Sequence, residues 1–214
     1  MHFNELSQKW GIAITGGIAS GKSTIAESLR QRAFVVIDAD QASRLVVLPG
    51  TEGFKEVVTY FGRDILTPSG EMDRAKMRDM IFQSPEKRIA LEQIIHHRLA
   101  AVSEELLQRA NLFQKPRIWF YEASLIYERR RAGDFSQVWV AYCPRETQIE
   151  RVMARDHISR GAAEKILEAQ MPAEEKVKQA NYVIHTDCDR KELELRIDQA
   201  LESLTSAPHL RKGE

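Results

Sequence analysis

The stretch GIAITGGIASGKSTIAESL, Gly11 to Leu29, constrains this chain more than any other, because an apolar run breaks into glycines, a lysine and hydroxyls before helix-forming residues resume. Gly11 to Thr15 has the short, continuously apolar character of a strand covered on both faces. Ile25, Ala26, Leu29 and Ala33 then fall on one helical face, and Phe34 to Ile37 reads as a second strand, which completes a βαβ unit and requires a parallel sheet. Between strand and helix, Gly16, Gly17, Ile18, Ala19, Ser20, Gly21, Lys22 and Ser23 satisfy G-x-x-x-x-G-K-[ST] in full, with Thr24 following. Glycines let such a loop curl so that successive N–H groups face one anion, and the helix presents its positive end to the same point. Lys22 adds a charge for the outer phosphates of a bound nucleotide, and Ser23 a hydroxyl suited to a bridging Mg2+. The competing reading is an unliganded glycine-rich turn; the setting between a buried-type strand and an amphipathic helix favours the phosphate loop.

Ile118 to Tyr121, Val138 to Tyr142 and Tyr182 to Ile184 repeat the strand signature. The expected fold is therefore α/β, of the P-loop NTPase kind, with a five-stranded parallel sheet flanked by helices. The chain reads as one domain over residues 1–214, with a core at about 10–45, 115–150 and 178–205 and a helical insertion at about 46–112. Inside the insertion, Ser84-Pro85-Glu86 marks a helix start, and Leu91, Ile95, Leu99, Val102 and Leu106 follow at helical spacing. A charged helical stretch runs from Glu146 to Lys178; its part from Arg151 to Met171 has few large apolar anchors and suits a lid, about 151–175. Leu193, Ile197, Leu201 and Leu204 define a last helix, and Ser206 to Glu214 is expected to fray.

With 31 basic and 31 acidic residues the formal charge is zero, which excludes a global electrostatic footprint for duplex nucleic acid or anionic lipid. No apolar run approaches a membrane span, the first ten residues lack a signal-peptide pattern, and Cys143 and Cys188 match no metal spacing and read as packing residues. A cytoplasmic monomer is expected, with neither nucleic-acid nor membrane partners.

The second strand ends in Asp38-Ala39-Asp40, and ligands of open parallel sheets sit at the carboxyl ends of strands. One carboxylate could take a proton from an attacking hydroxyl; the alternative is that Asp38 or Asp40 caps the next turn. Arg44 lies one helical turn beyond Asp40, and Arg151 and Arg155, spaced i, i+4, share a helix face from which two guanidiniums could neutralise phosphate charge. Arg129-Arg130-Arg131 reads as solvated surface. The chain has no Asn-Lys-x-Asp tetrapeptide and no room for a motor's extra domains, so a small kinase fits best. A nucleoside-monophosphate or small-alcohol kinase and a non-catalytic nucleotide-sensing module are the alternatives.

Taken together, these pieces resemble the dephospho-CoA kinases along nearly the whole chain. The resemblance rests on the loop, on Val36-Ile37-Asp38-Ala39-Asp40 with Arg44, on Asp73-Arg74 and Phe82, on His96, and on Leu125 and Glu128. It continues through Cys143-Pro144, Gln148, Arg151, Arg155-Asp156, Ala169-Gln170-Met171-Pro172 and Glu175-Lys176. It implies transfer of the ATP γ-phosphoryl to the 3′-hydroxyl of the ribose of dephospho-CoA, the last step of coenzyme A biosynthesis, by a core, a CoA-binding insertion and a lid. Under it Asp40 is the general base with Asp38 as neighbour or substitute, Lys22, Arg151 and Arg155 serve the phosphates, and Arg44, Arg74 and His96 serve the acceptor. Glu122, an acid at the third strand's end, would join Ser23 in organising magnesium through water. The chain departs from the family pattern at Ser124 and His97, where prolines are usual, and at His185-Thr186, where Asp-Asn is usual.

Overall fold

A computed structural model describes residues 2–205, so the expectation for Ser206 to Glu214 lies outside the described residues. In chain order the elements are α1 (Phe3–Trp10), β1 (Gly11–Thr15), α2 (Lys22–Gln31), β2 (Val36–Asp38), α3 (Ala39–Val46), α4 (Glu52–Phe61), α5 (Arg74–Gln83) and α6 (Pro85–Arg109). They continue with β3 (Trp119–Glu122), β4 (Gln137–Tyr142), α7 (Arg145–Asp156), α8 (Arg160–Glu168), α9 (Ala173–Gln179), β5 (Tyr182–His185) and α10 (Arg190–Thr205). Two compact units result: one runs to Val36 and resumes at Ala110, and the other is Ile37–Arg109.

The strands form a five-stranded parallel sheet in the order β2-β3-β1-β4-β5. Ile12 pairs with Phe120 on one side and Gln137 on the other, Trp139 pairs with Tyr182, and Phe120 N donates to Val35 O at 2.8 Å. Every residue of β1 and β3 is buried, as expected of strands that helices cover on both faces. The aromatic centre is Trp119, Phe120, Tyr121 and Trp139, all at most 1% exposed; each such side chain contributes roughly 1.5–3 kcal/mol of burial. Phe120 meets Trp139 at 5.3 Å between ring centroids and Phe34 edge-on at the same distance.

Three features differ from the sequence reading in this unit. The N-terminal residues form α1, which buries Leu6 and Trp10 and runs straight into β1; the sequence there carries no capping signal to announce a helix. Ala33 lies beyond α2 with φ 63°, turning the chain toward β2 instead of extending the helical face. Arg131 is no solvated cation: its guanidinium lies 5.3 Å from the Tyr121 ring and 5.8 Å from that of Phe135 while Nε donates to Asp134 at 2.9 Å.

In the second unit α3 to α6 enclose a core of Val46, Val47, Val57, Ile65, Met77 and Leu91. Ser84 Oγ accepts from Lys87 N and Pro85 opens α6, as the sequence signals. The buried stripe of α6 is Leu91, Leu99, Ser103 and Leu107, so Leu107 takes the place expected for Leu106. Among the described residues no helix is long and apolar enough to cross a membrane.

Candidate active site

The sheet order puts the carboxyl end of β1 between β3 and β4, at the point where chain progression reverses and open α/β sheets hold their ligands. Residues 16–21 turn there. Gly21 has φ +89°, and a Cβ at that position would sit 3.0 Å from Thr186, so both backbone and space require glycine. At Gly16, with φ +150°, a Cβ would lie 2.4 Å from Ala141 O. Ala19 has φ 55°, a left-handed conformation that costs a non-glycine residue roughly 1–2 kcal/mol and that its surroundings must hold in place.

Lys22 is buried, and its Nζ donates to the carbonyls of Gly16 at 3.0 Å and Gly17 at 2.8 Å, which fixes the ammonium at the loop's mouth. Ser20 Oγ is buried without a hydrogen-bond partner among the described residues, a donor that a phosphate oxygen would satisfy. Ser23, on the first turn of α2, donates to Glu122 Oε1 at 2.7 Å, and Arg30 approaches the other oxygen of Glu122 at 3.8 Å. A hydroxyl and a carboxylate thus meet beside the loop, two hard oxygen donors of the kind magnesium prefers.

Helix α7, the turn after α8 and the residue after β5 bind the loop from its flank. Arg151 Nη1 donates to Ala19 O at 3.3 Å and Nη2 to Thr186 O at 2.7 Å, while Thr186 Oγ1 donates to Ser20 O at 2.7 Å. Gln170 Oε1 accepts from Ile18 N at 2.8 Å, and buried Gln148 donates to Cys143 O at 3.1 Å with its Oε1 filling the space above Gly17. Ile149, Val152 and Ala163 form a small buried cluster with Ile18 and Ala19 packed against it. The expectation of few apolar anchors between Arg151 and Met171 is therefore corrected: side chains of the loop itself complete an apolar contact with α7 and α8. Cys143 is fully buried behind the loop, and burial pushes its thiol above the ordinary range.

The family model for dephospho-CoA kinase matches residues 10–192. The chain belongs to the dephospho-CoA kinase family. A dephospho-CoA kinase of Geobacter sulfurreducens is 43% identical over 188 residues, covering 88% of this chain and 95% of that protein. A dephospho-CoA kinase domain-containing protein of Danio rerio is 39% identical, covering 85% of this chain and 79% of its own length. The crystal structure of a dephospho-CoA kinase from Campylobacter jejuni superposes with a TM-score of 0.68 at 25% identity, covering 92% of this chain and 97% of the other. A Thermus thermophilus structure superposes with a TM-score of 0.77 at 30% identity over the same shares of the two chains.

Against this membership in the dephospho-CoA kinase family, the residues expected to act fall into three groups. Gly16 to Thr24, Lys22, Ser23 and Glu122 converge at the end of β1, and Arg151 joins them through Ala19 and Thr186. Arg155 is exposed and holds its neighbour Asp156 with two bonds, Nε at 2.7 Å and Nη2 at 2.8 Å; that contact raises the guanidinium's pKa and lowers the carboxylate's. The third group lies in Ile37–Arg109. Asp38 caps α3, its Oδ1 accepting from Asp40 N at 2.8 Å and Gln41 N at 3.0 Å, so the capping alternative holds for this residue. Asp40 is exposed in the first turn, and its carboxylate takes no hydrogen bond or ion pair among the described residues. Arg44 follows on the same helix, Arg74 opens α5 and His96 stands on α6, all three exposed. Thr186, Gln148 and Gln170 received no role from the sequence: an uncharged amide or hydroxyl has no spacing signature, and Thr186 stood out only as a departure.

Proposed function

We propose that this protein transfers the γ-phosphoryl group of ATP to the 3′-hydroxyl of the dephospho-CoA ribose, yielding CoA and ADP, as a cytoplasmic monomer. The observation that carries the reading is a family match running unbroken from before the phosphate loop to beyond the Gln170 segment, joined to a loop whose lysine, serine and acid are already assembled. In the reaction the 3′-oxygen attacks the γ-phosphorus, the bond from phosphorus to the β–γ bridging oxygen breaks, and that oxygen leaves on ADP with the electron pair. Asp40 takes the hydroxyl proton; its carboxylate is uncommitted, whereas that of Asp38 is spent on α3. Lys22 and the loop amides hold the outer phosphates, and Ser23 with Glu122, through water, would hold magnesium. When bound, the ion neutralises charge on the β- and γ-phosphate oxygens.

Arg155 supplies positive charge by exchanging exposed Asp156 for phosphate, and Arg151 does so from its seat on Ala19. Helices α7 and α8 act as the lid and 37–109 as the acceptor-binding insertion, with Arg44, Arg74 and His96 on the acceptor. The test is ADP release by purified protein with Mg-ATP against dephospho-CoA, AMP, CMP and shikimate. Release is expected with dephospho-CoA alone; release with AMP or shikimate but not dephospho-CoA would assign another kinase, and silence with every acceptor a nucleotide-binding module.

A further inference from the structure

The strained peptide of the phosphate loop is held from one side by α7 and from the other by the turn after α8. Ala19 sits at φ 55°; on its C-terminal side its carbonyl accepts from Arg151, and on its N-terminal side the amide of Ile18 donates to Gln170 Oε1 at 2.8 Å. A left-handed alanine relaxes unless its neighbours are pinned. Relaxation would rotate the amides that follow it away from a common anion.

Gln170 is itself mounted on an ion pair between a buried lysine and a half-buried glutamate. The next residue, Met171, donates its N–H to Glu128 Oε1 at 3.1 Å, and the same oxygen takes Lys176 Nζ at 2.7 Å. Lys176 is 0% exposed, and its Nζ also donates to Ser124 O at 2.8 Å, the carbonyl that accepts from Thr15 Oγ1 at the end of β1. A buried lysine with a carboxylate and a carbonyl in reach is costly to pull apart. The turn bearing Gln170 is thereby tied to the strand from which the loop springs.

We propose that Gln170 is a positioning residue of the phosphate loop: its carboxamide oxygen holds Ile18, together with Arg151 it clamps Ala19 in the anion-binding conformation, and Glu128 with Lys176 forms its mount. The proposal rests on the kinase reading only in taking the loop's ligand to be the triphosphate of ATP. It predicts that loss of the oxygen weakens the grip on phosphates without disturbing a ligand that has none.

Calorimetric titration of the full chain with Mg-ATP and with adenosine tests it. Gln170→Leu, which keeps the bulk but cannot accept, should bind ATP about tenfold more weakly while adenosine stays within twofold, the size expected for one hydrogen bond that sets a site. Gln170→Ala removes the same oxygen by truncation and should show the same ATP-selective loss. Equal losses for ATP and adenosine in either variant, or no loss for either ligand, would overturn the proposal. If Gln170→Leu does not fold, Gln170→Ala decides alone. No acceptor enters these titrations, so a parent enzyme that ignores dephospho-CoA would sink the functional reading and leave this result standing.

Discussion

Asp38 and Asp40 are the same residue type two positions apart, and the backbone gives them different work. Asp38 closes β2 and accepts the first free amides of α3, whereas Asp40 lies one residue inside that helix with its carboxylate exposed. Asp38→Ala should lose a cap and about 1 kcal/mol of stability. Asn caps as well as Asp, so Asp38→Asn should retain most of both stability and turnover. Asp40→Asn should lower kcat by about 10²–10⁴ with ATP affinity within twofold of the parent, because a general base acts in the transition state and not in nucleotide binding. Steady-state kinetics beside an ATP titration measures this, and an unchanged kcat in Asp40→Asn would remove the residue from the mechanism. Which of the two acids caps was not legible beforehand, since both fit the position and only the chain's path into α3 separates them.

Elements were legible where pattern and punctuation agree. Ser84 and Pro85 open α6 as their chemistry dictates, but adjacent Leu106 and Leu107 cannot be told apart by periodicity, and packing chose Leu107. Between α2 and α10 the decisive contacts join residues more than 160 positions apart: Ser28 Oγ and Arg32 Nη1, at 2.5 and 2.7 Å, both donate to Glu194 Oε2. The hydroxyl and then the guanidinium hold the Glu194 carboxyl below its ordinary range. A depressed folded-state pKa contributes stability that is present above the unfolded value and lost as pH falls through the folded one. Glu194→Gln should therefore cost about 1 kcal/mol at pH 7, lowering Tm by about 2–4 °C, with the gap to the parent closing as pH drops below the usual carboxylate range. Thermal melts at pH 7 and pH 4 check both the size and the sign; a gap that widens at low pH would reject the clasp as the cause.

For the molecule as a whole, nucleotide binding and folding are linked through the loop. Mg-ATP at a hundred times its Kd should add about 2.7 kcal/mol of stability, about 5–10 °C in Tm for a chain of this size. Lys22→Ala should lose most of that shift, because the ammonium at the loop's mouth meets the outer phosphates. Melts of the two proteins with and without Mg-ATP read this directly, and an undiminished shift in Lys22→Ala would show that the triphosphate sits elsewhere. From the sequence alone came the βαβ alternation, the five strands, the phosphate loop and the kinase family, because each is written in local spacing: apolar runs, glycines before a lysine, an acid at a strand tip. Only the tertiary structure decided that Thr186, Arg151 and Gln170 bond the loop, that Lys176 is buried against Glu128, and that Asp38 caps a helix. Those roles depend on which backbone amide or carbonyl a side chain reaches across the fold, and such a distance has no trace in the order of residues along the chain.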